Sequence, residues 1–107
     1  MKSYSVVFAP EADDQLQELY LYIATRASPA TAERYTSSIV SYCEGLGTFT
    51  HRGVSRDDIR AGLRLTNYKG RTVIAFAVDD SARKVSILGV FYGGQDYETT
   101  LRSDFED

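Results

Sequence analysis

From Ser3 to Phe8 the chain alternates, with Tyr4, Val6 and Phe8 on one side and Ser5 and Val7 on the other, which is the two-residue period of a β-strand. Ala9-Pro10 ends that strand. Proline suits the first turn of a helix, where its missing N–H would be unpaired anyway, and Glu11, Asp13 and Asp14 complement the positive end of the helix dipole. Ala12, Leu16, Leu19, Tyr20 and Ile23 then recur at spacings of three and four, the apolar stripe of a helix ending near Arg26. Ser28-Pro29 repeats the start signal, and Ala32, Tyr35, Ile39, Tyr42, Cys43 and Leu46 continue at helical spacing until Gly45 and Gly47. The short joint between them predicts an antiparallel helical hairpin. Residues 48–58 lack a clear period and predict a loop with at most a short turn.

Beyond that loop the period falls to two. Ala61, Leu63 and Leu65 oppose Arg60, Gly62, Arg64 and Thr66, predicting a half-exposed strand, and residues 68–71 predict a turn. Residues 72–78 are apolar on both faces, with Val73, Ala75 and Ala77 against Ile74, Phe76 and Val78, as a strand covered on both sides requires. A turn at residues 79–82 leads to an alternating last strand, Lys84 to Tyr92, which Gly93-Gly94 terminates before the acidic residues 95–107. The order β-α-α-β-β-β predicts an α+β domain: an N-terminal strand and a helical hairpin packed on a small, mainly antiparallel sheet. Leu16, Leu19, Ile23, Ile39, Leu63, Val73, Ala75, Val85 and Ile87 are its expected core, buried between hairpin and sheet.

The 107 residues leave room for one domain, and 43% hydrophobic with 25% charged residues is an ordinary soluble composition. The N-terminus lacks the apolar core of a signal peptide, and no stretch approaches a membrane span, so the expected mature protein is the whole chain, in the cytoplasm, away from membranes. The lone Cys43 fits a reducing compartment and falls on an apolar helix face, which makes it a core residue. Net charge is −3, yet residues 51–84 hold eight Arg or Lys against four Asp, while the flanks hold four basic against eleven acidic residues. The basic middle suits an anionic partner, and the overall balance argues against a protein held to nucleic acid by electrostatics alone.

Four segments resemble one family. FAPEADDQLQELYLYIA (residues 8–24) is similar to the strand, Ala-Pro break and first helix of the RelE/ParE toxins, and SPATAERY (28–35) to the start of their second helix. DIRAGLRLTNYKGRTVIAFAVDD (58–80) resembles their R-x-G-L-R strand, basic turn and central strand, and VSILGVFYGGQDYE (85–98) the strand before a Gly-x-Asp-Tyr terminus in ParE-like members. The resemblance spans nearly the whole chain. It implies the toxin of a type II toxin–antitoxin pair, of the ParE branch: a growth inhibitor and plasmid-stabilisation factor that acts on DNA gyrase, is silenced by a ParD-like antitoxin in a hetero-oligomer, and needs no cofactor. The alternatives it leaves are a RelE-type mRNA endonuclease working on the ribosome and a non-toxic, antitoxin-binding relative.

Cleaving a phosphodiester needs a proton acceptor, a proton donor and cations for the phosphate. If the chain is a nuclease, Arg71, Arg83 and Tyr92 are the candidates, with Tyr92 expected beside one of the two arginines. Arginine clamps phosphate but shuttles protons poorly, Lys69 and Lys84 lie at turns, and Asp96, Glu98, Asp104, Glu106 and Asp107 oppose RNA, so no catalytic residue is expected. Tyr22, off the main apolar stripe, and Arg60 and Arg64, on one strand face, are the antitoxin-binding candidates. The bland alternative for the two arginines is a solvated face paired with Asp57 or Asp58. His51, in a loop without a second His or a nearby Cys, does not make a metal site, and Gly93-Gly94 lacks the lysine and helix of a phosphate loop.

Overall fold

The computed structural model describes residues 3–93 and 95–105, with side chains through residue 102. Strand β1 (Ser5–Phe8) leads into helices α1 (Pro10–Arg26) and α2 (Pro29–Gly45). Then come β2 (Val54–Ser55), β3 (Leu63–Tyr68), β4 (Thr72–Asp79), β5 (Lys84–Tyr92) and a third helix, α3 (Tyr97–Phe105). Both helices of the hairpin start at the expected prolines, and the Ser28 hydroxyl caps α2 by accepting the Thr31 N–H at 3.1 Å. The sheet runs β1-β5-β4-β3-β2, with β1 parallel to β5 and the remaining neighbours antiparallel.

Three boundaries differ from the sequence expectation. The first half-exposed strand begins at Leu63, because Arg56 to Gly62 fold as turns in which the Asp57 carboxylate accepts the Gly62 N–H at 2.8 Å. The loop before it holds the two-residue strand β2, which pairs Val54 with Leu65. The acidic end of the chain contains α3; Gly94, of the expected terminating pair, lies outside the described residues.

The sheet has a core on each face. Against the hairpin, Ile74, Phe76, Val85, Ile87 and Val90 pack with Ala12, Leu19, Ile39, Cys43 and Leu46. On the other face Leu63, Leu65, Ala75 and Phe91 pack with Leu101 of α3. Leu19, Ile39, Val85 and Ile87 are buried where expected, whereas Leu16 and Ile23 are only half-buried. Leu63, Val73 and Ala75 belong to the opposite face, beneath α3. A strand apolar on both sides gives no sign of which side meets the hairpin until a second covering element is known.

A bulge decides the rest. Ala75 pairs with Gly89 but Phe76 pairs with Ile87, so Leu88 is an extra residue in β5 and the alternation of that strand flips. Val85 and Ile87 face the hairpin before it; after it Val90 does, and Phe91 turns to α3. The Val90 N–H donates to the Gln15 side-chain carbonyl of α1 at 2.6 Å. Gly89 leaves room for the Phe91 ring, which would lie 2.6 Å from a Cβ there, with the Gln15 carbonyl at 3.4 Å.

Candidate functional site

The flipped register of β5 brings Tyr92 to the hairpin side of the sheet. Tyr68, Thr72 and Tyr92 are register partners across three neighbouring strands and so form one row. Tyr35 and Tyr42, seven residues apart on α2 and therefore on one face, descend onto the sheet. The Tyr35 hydroxyl meets Thr72 Oγ1 at 2.8 Å, and the Tyr42 hydroxyl meets Thr66 Oγ1 at 2.9 Å. These bonds satisfy threonines that are otherwise buried and fix both rings.

A continuous ladder of rings results. Tyr42 lies 4.8 Å from Tyr68 and Tyr35 lies 6.3 Å from Tyr68; Tyr35 meets Tyr92 edge-on at 5.8 Å, and Tyr22 of α1 closes the row 6.0 Å from Tyr92. Cations cover the outer rings: Arg26 over Tyr22 at 4.0 Å, Arg71 over Tyr92 at 5.6 Å, Lys69 over Tyr68 at 5.4 Å and Arg52 over Tyr42 at 5.5 Å. Tyr22 and Tyr92 line a cleft of about 570 Å³ together with Gln15, Leu19, Arg71 and Val90, with Glu18 on its wall. Aromatic faces, cationic edges and one carboxylate make a surface for holding a partner.

The site candidates separate by geometry. Arg71 and Tyr92 come together, as one form of the nuclease expectation required. Arg83 does not join them: it sits in the β4–β5 turn, before Lys84, whereas Tyr92 is at the far end of the nine-residue β5, about 27 Å away along the strand. Arg64 lies on β3, but its guanidinium donates to the carbonyls of His51 at 2.7 Å and of Arg52 and Gly53 at 3.1 Å each, so it clamps the loop before β2. Arg60 is exposed in the turn before β3, so the two arginines do not share a strand face. Tyr22, 45% exposed, is the candidate that stands at the cleft.

Tyr68 and Arg26 were not singled out from the sequence, and Tyr35 and Lys69 were read only as a helix-face residue and a turn residue, although the seven-residue spacing of Tyr35 and Tyr42 and the Tyr-Lys pair at the turn are signals of the site. Among the described residues no group of three His, Cys, Asp or Glu side chains is placed to hold a metal. His51 Nδ1 lies 3.2 Å from the Thr50 hydroxyl in an exposed loop. Cys43 is buried, and burial beside Glu44 pushes its thiol up to about 12, which leaves it protonated and inert. No helix among the described residues is long and apolar enough to cross a membrane.

On the opposite face, charge pins α3. Arg56 makes a two-pronged contact with Asp58, at 2.8 and 2.9 Å, and also reaches Glu98 of α3, while Arg102 bridges to Asp58 at 3.4 Å and Glu98 at 3.7 Å. The Arg56 hydrogen bonds hold the Asp58 carboxyl down to about 2. Of the acids weighed from sequence as partners of Arg60 and Arg64, Asp58 serves Arg56 and Arg102, and Asp57 accepts from the Ser55 hydroxyl and the Gly62 N–H, with Arg64 near enough to help hold its carboxyl low.

A helical hairpin over a mainly antiparallel sheet is a fold that recurs in solved structures of toxin–antitoxin systems. It is shared by a chain of the chromosomal ParDE system of P. aeruginosa, with a TM-score of 0.72 at 18% identity, covering 85% of this chain and 97% of that one. A chain of the RelBE2 toxin–antitoxin complex of Mycobacterium tuberculosis is similar with a TM-score of 0.65 at 22% identity, covering 89% and 97%. A comparison with curated protein sequences gives no match. The family model of the ParE toxin of the type II toxin–antitoxin system parDE matches residues 6–97. The chain belongs to the ParE toxin family.

Proposed function

We propose that this chain acts as the toxin of a type II pair by binding DNA gyrase, without cleaving mRNA, and that a ParD-like antitoxin silences it. The observation that carries the choice is the composition of the Tyr92 cleft. Arg71 is there to meet a phosphate, but Arg83 is at the other end of β5, and the chain's single His, in the loop before β2, does not line the cleft. The carboxylate that lines the cleft, Glu18, repels each phosphate of an entering strand. A cleavage site would need the reverse: several cations converging on the phosphate and a group placed to move the proton.

The test is induction of the chain without antitoxin, with supercoiling by purified gyrase and transcript cleavage in a ribosome-containing extract measured side by side. Inhibited supercoiling with intact transcripts is expected, unchanged for cleavage in Tyr92→Phe. Codon-dependent cuts that fall by about 10²-fold in Tyr92→Phe, with supercoiling unaffected, would establish the nuclease reading instead. Neither effect, in a protein that still binds its antitoxin, would identify a relative that has lost toxicity.

A further inference from the structure

We infer that the loop of residues 48–55 is the surface by which the chain grips its protein target, and that the patch it fits presents a carboxylate beside an apolar hollow. The inference rests on the gyrase reading above and adds which surface makes the contact and by what chemistry. Two of the large apolar side chains that the fold leaves in solvent stand on this loop, Phe49 at 58% and Val54 at 66% exposure. Between them in sequence is Arg52, also exposed, whose guanidinium lies over the Phe49 ring at 5.2 Å and the Tyr42 ring at 5.5 Å. Among the described residues no carboxylate bridges to it, so rings hold the cation and its N–H groups are left for a partner.

An irregular loop usually loses freedom when it docks, but this one is held beforehand. Arg64 donates to the carbonyls of His51, Arg52 and Gly53, and Val54 is paired with Leu65. The Tyr42 ring beneath Arg52 is itself fixed through its hydroxyl by Thr66. Exposed aromatic and arginine side chains on a rigid support are the usual anchors of a protein interface. Charge selects protein over nucleic acid. A nucleic acid strand needs cations in series, whereas Arg64 is bonded to loop carbonyls, Arg56 is engaged by Asp58 and Glu98, and Asp57 and Asp58 follow directly in the chain. One stacked cation, with an apolar side chain on either side of it in sequence, suits one carboxylate set in an apolar surround.

The test compares the full chain with Phe49→Ala, Arg52→Glu and Arg52→Lys in three measurements: inhibition of supercoiling by purified gyrase, affinity for the ParD-like antitoxin, and binding of a short DNA duplex. Both positions are exposed, and the urea midpoint verifies that each variant is folded. Phe49→Ala and Arg52→Glu are each expected to raise the concentration for half-inhibition by about tenfold or more, with antitoxin affinity unchanged. Arg52→Lys is expected to recover only part of the loss, because an ammonium does not reproduce the planar, stacked cation. Undiminished inhibition in either of the first two variants would overturn the proposal while leaving the gyrase reading in place. An equal fall in antitoxin affinity would give the loop to the antitoxin, and duplex binding that Arg52→Glu abolishes would give it to nucleic acid; each overturns the proposal. No inhibition by the unaltered chain, with antitoxin still bound, would remove the gyrase reading and the proposal with it.

Discussion

Gln15 offers the sharpest test of how the site is built. It is a polar residue on α1 whose side-chain carbonyl accepts the Val90 N–H at 2.6 Å, just past the bulge that turns Tyr92 toward the cleft. Val90 is 3% exposed, so an N–H that loses this acceptor finds little water to replace it. Leaving a buried donor unsatisfied costs about 1–3 kcal/mol, more than the net worth of an average hydrogen bond. Gln15→Met keeps the volume and removes the acceptor, and should destabilise by that amount. Gln15→Glu keeps an acceptor and should retain most of the stability, less a few tenths of a kcal/mol from repulsion by Glu11 and Glu18, at i−4 and i+3 on α1. Urea midpoints converted with a common m-value measure the difference, and the exchange rate of the Val90 amide locates it. Equal midpoints for Met and Glu, or faster exchange spread over the whole sheet with none specific to Val90, would refute the account of the bulge.

Three further outcomes follow from other parts of the molecule. Leu19→Ala, in the hairpin core, should cost about 2–5 kcal/mol in the same denaturation assay, and a loss below about 0.5 kcal/mol would mean that α1 is not seated as described. Because the folded Asp58 carboxyl lies near 2, below its ordinary 3.8, the unfolded chain takes up this proton more readily. The contribution of the Arg56–Asp58–Arg102 network is therefore complete above about pH 4 and vanishes as pH falls through about 2; exchange protection of the α3 amides should fall in that window, ahead of the hairpin, and parallel loss in both would contradict it. Arg64→Ala frees three loop carbonyls at once and should raise the rate of proteolytic cutting within residues 48–55 by about tenfold, with Arg64→Lys recovering little because a point charge cannot reproduce the planar fork; identical cutting rates in the variants and the parent would return Arg64 to a solvated role.

Local chemistry set the elements that carry their own start and stop signals. Pro10 and Pro29 with Ser28, the stripes of α1 and α2, and the bounds of β5 are all legible because each depends on residues within a few positions of one another. The four motif segments likewise pointed to the toxin family that the match over residues 6–97 shows. The site was legible only in part: Tyr22, Arg71 and Tyr92 were named, and they meet at the cleft. Arg83 was named with them although the expected strand Lys84 to Tyr92 already sets it at the end opposite Tyr92.

What only the tertiary structure decided has one physical origin, the pairing of residues distant in sequence. The extra Leu88 in β5 is invisible to a count of alternation, yet it decides that Val90 faces the hairpin and Phe91 faces α3, and so brings Tyr92 into the ladder. The apolar runs of β4 fit either side equally, and the choice between Ala75 and Phe76 for the hairpin core was made by α3 and Leu101 covering the other face. Gly53 shows the same dependence: its φ of +84° and the Leu65 carbonyl packed against the place of its missing Cβ leave no room for a side chain, a constraint imposed by a strand twelve residues further on. Sequence determined the two hairpin helices, the four longer strands and the chemistry they carry; the register between strands, and the helix that covers the second face, determined which of those side chains share a surface.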